Sequence, residues 1–305
     1  MIIEDLEQVT QAVLEETRRT PDARTKEILQ SLVRHLHAFV REVKITEKEF
    51  DKAINYVAAL GQLTTGSHNE VRLMAGSLGV STLVCLLNNG PNAATESSAN
   101  LLGPFWRADS PRTENGGSLL RSETSGPALF FKGWVRDEKG LPISGAEVDV
   151  WHASPVGLYE SQDPDQAEMN LRGKFTTDAN GEFSFQSIKP SGYPIPINGP
   201  VGALLNAQKR HNFRPAHIHF LIYKPGFKTV TSQIYSPDDS HLETDSQFGV
   251  TRALVARFEV HESEPAPSPG VTGAWYSLQH TFTLLRGESW LPTPPISKKA
   301  TERIS

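Results

Sequence analysis

The 305-residue chain has a single cysteine, Cys85, in the apolar run VSTLVCLL. No disulfide can form within it, so cross-links do not hold the fold, and a reducing cytoplasm is the simplest setting. Cys85 itself reads as a small buried residue. No apolar stretch reaches the ~18 residues that a membrane-spanning helix needs, so no membrane insertion is expected. The opening MIIEDLEQVTQ lacks the basic flank and apolar core of a secretion signal. Basic residues are scattered in short runs and the formal net charge is −5, which points away from nucleic acid. There is no HExxH motif, which excludes the commonest zinc site built on one helix. On these grounds a soluble cytoplasmic protein is expected.

What is present falls into two halves. In TKEILQSLVRHLHAFVREV, Ile28, Leu29, Leu32, Val33, Leu36, Phe39, Val40 and Val43 recur at helical spacing. Thr46 with Glu49 has the form of a capping box before FDKAINYVAALGQL. A further helix is predicted over NEVRLMAGSLGVSTLVCLL, broken by NNGPN. From about residue 128 short apolar runs alternate with Gly, Pro, Asn and Asp, as in GAEVDVWHA, GKFTTD, EFSFQSI and AHIHFLIY. That pattern predicts a β-sandwich or barrel, with Asn180-Gly181 marking a hairpin. The fold class expected is α+β: an N-terminal helical domain with linker, 1–105, then a mainly antiparallel β-sandwich, 106–305. The irregular ATESSANLLGPFWRADSP is expected to pass over a site at the junction.

In the strand AHIHFLIY, His217 and His219 are two residues apart and so share a face. Imidazole accepts zinc, copper, iron or nickel, and a carboxylate such as Glu243 or Asp245 could complete a facial triad. Two tyrosines compete with that reading. Tyr193 sits in the turn-rich KPSGYPIPINGP, and Tyr159 follows the strand GAEVDVWHA; both occupy loop positions near strand ends. A phenol ionises near pH 10, so it ligates at neutral pH only where a strongly acidic cation removes its proton. Fe(III) is such a cation, and two phenolates with two neutral imidazoles suit its charge.

LLGPF, GWVRDEKGLPISGAEVDVWHASPVGLY, LRGKFTTDANGEFSF, KPSGYPIPINGPVGALL and RHNFRPAHIHFLIYKPGF occur in this order. Together they resemble the intradiol ring-cleavage dioxygenases, the non-haem Fe(III) enzymes of the catechol and hydroxyquinol 1,2-dioxygenase group. The resemblance implies that Tyr159, Tyr193, His217 and His219 are the iron ligands. It places the family's arginine at Arg214 and its glutamine at Gln233. A catechol-type ring would be opened between its vicinal hydroxyls to a cis,cis-muconate, with both atoms of O2 inserted. Tyr193 would leave the metal and take up a substrate proton, while Arg214 would steady charge on the ring.

ATESSANLLGPF, YPIPINGPVG and FGVTRALVARF resemble the hydroxyquinol branch, which implies hydroxyquinol (1,2,4-trihydroxybenzene) as substrate and simple or substituted catechols as the alternative. One departure stands out. The helical segment before LGVS tends in that branch to carry an acidic residue facing the third hydroxyl, and here the aligned residue is Gly76, which is expected to leave room. Leu73, Gly76, Leu102, Gly103, Phe105 and Val250 are the expected pocket walls. The resemblance also implies a homodimer through the N-terminal helices, with a tunnel able to hold a lipid. Two rival readings remain: a cupin-like Fe(II) or zinc enzyme, and a non-catalytic β-sandwich binding module.

Overall fold

The computed structural model describes residues 2–89 and 99–302. Gly90, Pro91 and Asn92 of the expected NNGPN break, and the ATESS portion of the expected linker, lie outside the described residues. The chain forms two compact units, Met1–Ala58 and Ala59–Ser305.

The first unit holds α1 (Leu6–Thr17), α2 (Ala23–Val43) and most of α3 (Glu47–Gln62). Asp5 and Asp22 cap the first two helices by accepting from Gln8 N and Thr25 N at 2.8 and 2.7 Å. Lys44 ends α2 in a left-handed conformation (φ 53°). The expected capping box forms: Glu49 Oε2 accepts from Thr46 N (2.9 Å), and Thr46 Oγ1 accepts from Glu49 N (3.3 Å). No residue of α2 is buried, so its apolar row, from Leu29 through Val43, faces solvent.

In the second unit the expected single helix is two: α4 (Glu70–Ser77) and α5 (Val80–Asn89), bent by 73°. Gly79, with φ +71°, makes the corner, a conformation that a residue with a Cβ adopts at a cost. The sandwich follows: β1 (Ala128–Asp137), β2 (Glu147–Trp151), β3 (Arg172–Thr176), β4 (Glu182–Ile188), β5 (Tyr193–Pro194), helix α6 (Pro200–Ala207), β6 (Phe213–Arg214), β7 (His217–Tyr223), β8 (Val230–Tyr235), β9 (Glu259–His261) and β10 (Trp275–Leu284). Strands order as β4-β1-β10-β9 in one sheet and β3-β2-β7-β8 in the other, with β5-β6 a separate pair. All pairings are antiparallel except β1 with β10.

The core lies between the two sheets. Phe131, Phe183, Phe185 and Phe282 meet Val148, Val150, Phe175 and Phe220 there, all at or below 2 % exposure. Phe131 stacks on Phe185 with centroids 4.7 Å apart. Asn180-Gly181 corrects an expectation: the turn does not close a hairpin but carries the chain from β3 in one sheet to β4 in the other. Val135 N donates to Gly181 O (2.8 Å), and a Cβ on Gly181 would lie 2.4 Å from Val135 O. The turn is thus pinned against β1, which draws the following strand into the opposite sheet.

Candidate metal centre

Strand alternation sorts β7. Ile218, Phe220 and Ile222 enter the sandwich core, so His217 and His219 point from the opposite face of the sheet. Cross-strand register then assembles a polar row on that face. His219 lies between Trp151 of β2 and Gln233 of β8, and His217 lies opposite Tyr235. The Trp151 indole stacks on the His219 ring (4.6 Å, 7°). Gly103 closes in on the same imidazole: a Cβ there would sit 3.3 Å from His219 Cε1.

The two tyrosines arrive from loops. Tyr159 follows β2 and immediately precedes a single 3-10 turn at Glu160–Gln162. Tyr193 opens β5 and pairs with Arg214 of β6, which brings the arginine to the same place. The hydroxyls of Tyr159 and Tyr193 are 3.3 Å apart. Tyr193 lies 5.5 Å from the His217 ring and Tyr159 lies 6.2 Å from the His219 ring, centroid to centroid. Phe105, from the linker, stacks on Tyr159 at 4.4 Å. All four side chains are 1 % exposed.

The cluster brings imidazole nitrogens and phenol oxygens together, a donor set suited to a cation. His217 Nδ1 faces the Pro215 carbonyl at 2.7 Å, which accepts only, so the ring proton sits on Nδ1 and Nε2 carries a lone pair. That Nε2 lies 3.0 Å from His219 Nε2 and 3.3 Å from Arg214 Nη1. Two ring nitrogens so close require a proton or a cation between them. Burial, reinforced by Arg214, pushes His217 down to about 3, and burial with His217 beside it pushes His219 well below its ordinary value. Neither ring therefore takes up a second proton; in the neutral pair the His219 Nε2–H lies between the nitrogens, and a cation that displaces it meets two imidazole lone pairs. Burial also raises both phenols, Tyr159 further because the Tyr193 hydroxyl adjoins it, while Arg214 opposes the rise at Tyr193. Protein groups alone keep these phenols neutral; a strongly charged cation would ionise them. Among the described residues no group of three or more His, Cys, Asp and Glu converges on a common point. Two imidazoles completed by two phenols fit ferric iron better than zinc or Fe(II).

The carboxylates of the cupin-like reading are placed elsewhere. Glu243 is exposed. Asp245 forks onto Arg214, Oδ1 with Nε and Oδ2 with Nη2, both at 3.0 Å. Arg214 Nη2 also donates to Tyr235 Oη (2.8 Å) and Gln233 Oε1 (3.1 Å), and Gln233 Nε2 donates to Leu101 O (2.7 Å). Arg214 is 2 % exposed, so its charge is held in place on three sides. Tyr235 escaped the sequence reading, although it stands two residues beyond Gln233 and strand alternation puts both on one face.

Tyr193 and Arg214 open onto a cavity of about 540 Å³ whose walls include Leu73, Gly76, Leu102, Gly103 and Phe105. Val250 lines a different cavity, beside Leu242 and Arg252. Cys85, expected to be buried, is half-buried on the wall of the first cavity. Gly76 does not leave room. A Cβ on it would fall 1.9 Å from Gln247 Oε1, so the Gln247 side chain fills that space.

Comparison with known proteins finds two family models in the chain. One described as the catechol dioxygenase N terminus matches residues 22–96, and one described as dioxygenase matches residues 101–278. The hydroxyquinol 1,2-dioxygenase of Rhizobium sp. (strain MTP-10005) is 38% identical over 284 residues, 92% of this chain and 95% of the relative. The catechol 1,2-dioxygenase of Candida albicans is 37% identical over 238 residues, 77% of this chain and 78% of the relative. Among solved structures, hydroxyquinol 1,2-dioxygenase from Pseudomonas putida DLL-E4 superposes with a TM-score of 0.81 at 34% identity, covering 92% of this chain and 99% of that one.

Proposed function

The chain belongs to the intradiol ring-cleavage dioxygenases, and on that premise we propose that it is a non-haem Fe(III) enzyme acting on hydroxyquinol. It opens the ring between vicinal hydroxyls, inserting both atoms of O2, to give a cis,cis-muconate-type product. Catechol is the second reading, favoured by the likeness to the Candida albicans enzyme. One observation carries the proposal: two phenol oxygens and two imidazole edges meet beside a buried guanidinium at the wall of a cavity of about 540 Å³, roomy enough to admit a small aromatic ring.

Tyr159, Tyr193, His217 and His219 would hold the iron. When bound, it supplies the Lewis acidity that makes a vicinal diol ionise and its ring electron-rich toward O2. Tyr193 adjoins both the cavity and Arg214; held as a phenolate by the metal, its oxygen would take one of the two protons of the entering diol. Tyr159, stacked under Phe105, keeps its place. Arg214 sets a fixed positive charge beside the ring as negative charge develops on it, and Asp245, Gln233 and Tyr235 prevent its reorientation. Leu73, Leu102 and Phe105 give the ring an apolar seat.

The division of labour proposed is between residues 1–105, for pairing and linking, and 106–305, for chemistry, with Gly103 and Phe105 reaching over the site. The exposed apolar row of α2 supports pairing with a second copy and room for a lipid chain. No single helix among the described residues is long and apolar enough to cross a membrane, in keeping with a cytoplasmic enzyme. Oxygen uptake by the iron-loaded protein tests the activity, with hydroxyquinol, catechol, 4-chlorocatechol and protocatechuate compared. Fastest uptake with hydroxyquinol is expected; no uptake with any of them overturns the proposal.

A further inference from the structure

The space above Gly76 is occupied by an amide brought from elsewhere in the chain. Gln247 lies in the loop after β8, is 5 % exposed, and lines the same cavity as Gly76, Tyr193 and Arg214. Its Nε2 donates to Ser77 Oγ at 2.7 Å. With the amide nitrogen committed there, Oε1 is fixed against the Gly76 backbone, 1.9 Å from where a Cβ would stand. A glycine is the one residue at 76 that admits this carbonyl without displacement. The loop carrying Gln247 is fastened in turn to the site: its backbone N–H donates to Asp245 Oδ1 (3.1 Å), and Asp245 grips Arg214. The amide oxygen is thus held in register with the guanidinium that adjoins His217.

A small aromatic seated between Arg214 and α4 meets mostly hydrocarbon in Leu73, Leu101, Leu102 and Phe105. The Gln247 carbonyl is an acceptor fixed in that wall. A ring that carries a hydroxyl donor beyond its vicinal pair gains a hydrogen bond to it; a plain diol offers no such donor and leaves the oxygen to water. We propose that Gln247 is a specificity-determining residue, whose amide oxygen accepts a hydrogen bond from a third ring hydroxyl and so selects trihydroxybenzenes over simple diols. This rests on the dioxygenase reading for its substrate, and the Gly76–Gln247 pair is its structural basis.

The test compares the wild type, Q247M and G76A. Methionine preserves the volume of the glutamine while removing the acceptor. Alanine at 76 retains the glutamine but drives its oxygen out of place. Each protein is iron-loaded. Anaerobic titration gives Kd for hydroxyquinol and catechol, and oxygen uptake gives kcat/KM for both. The wild type is expected to prefer hydroxyquinol in both measurements. Both substitutions are expected to lower that preference roughly tenfold or more, with catechol binding changed less than about threefold. An unchanged hydroxyquinol-to-catechol ratio in folded Q247M or G76A overturns the proposal. The binding arm separates the two readings: a Kd ratio that falls in both variants while no protein turns over either ring supports the role of Gln247 and rejects the dioxygenase activity.

Discussion

Arg214 is a buried cation whose only carboxylate partner among the described residues is Asp245, which makes Asp245→Asn a sharp perturbation. The substitution keeps size and shape, but it puts an amide N–H₂ where an oxygen faced the guanidinium. At least one of the two 3.0 Å contacts becomes donor against donor. Removing one partner of a buried ion pair costs ~3–5 kcal/mol, mostly because the other charge stays desolvated. For a cooperative unit of this size that corresponds to a Tm lower by roughly 6–20 °C. The pH dependence carries more information. Burial pushes the Asp245 carboxyl upward, but Arg214 with its hydrogen bonds outweighs this and leaves it below its ordinary value. A depressed carboxylate contributes its stability above the unfolded pKa of about 4 and loses it as pH falls through the folded value. The gap in Tm between wild type and D245N is therefore constant from pH 8 to about 5 and narrows below 4. Thermal melts followed by circular dichroism across that range measure it. A D245N protein melting within 2 °C of wild type at pH 7, or a gap that widens in acid, refutes the reasoning.

Three further outcomes are expected. Tyr193→Phe keeps iron by metal analysis but lowers kcat at least tenfold, whereas full turnover would remove Tyr193 from proton transfer. Asp149 is pushed up to about 6 by burial, which Lys174 only partly offsets; the folded state binds the extra proton, so stability falls as pH rises from about 4 to 6, by roughly 3 kcal/mol at most, and D149N abolishes that slope in urea titrations. Gly103→Ala puts a Cβ at φ +71° and 3.3 Å from His219 Cε1; it should cost about 1–2 kcal/mol and loosen metal binding about tenfold or more, read by competition with a chelator.

Much of this architecture is written locally. The apolar spacing of α2 and the Thr46–Glu49 box set their helices without help from distant residues. Period-two alternation was enough to aim His217 and His219 together, because a sheet with one packed face leaves no other register. The convergence of Tyr159 and Tyr193 is different. Each sits in a loop tens of residues from β7, and nothing in the spacing alone brings their hydroxyls to 3.3 Å; only resemblance pointed there. Gln247 was invisible for a related reason. The reading at Gly76 assumed that the helix alone shapes its surroundings, whereas a loop about 170 residues later fills the space. The Asn180-Gly181 turn failed as a hairpin because the dipeptide specifies a reversal, and tertiary pinning against β1 decides which sheet the next strand joins.

The central claim is that buried phenol oxygens ionise onto a trivalent metal shared with two imidazoles. Visible absorption of the stoichiometrically iron-loaded protein tests it most directly, with wild type and Tyr159→Phe measured side by side. The account predicts a red-brown protein with a phenolate-to-iron charge-transfer band, and a Y159F variant that loses both the band and much of its iron. A colourless wild type, or a Y159F variant with unchanged iron and colour, would contradict it.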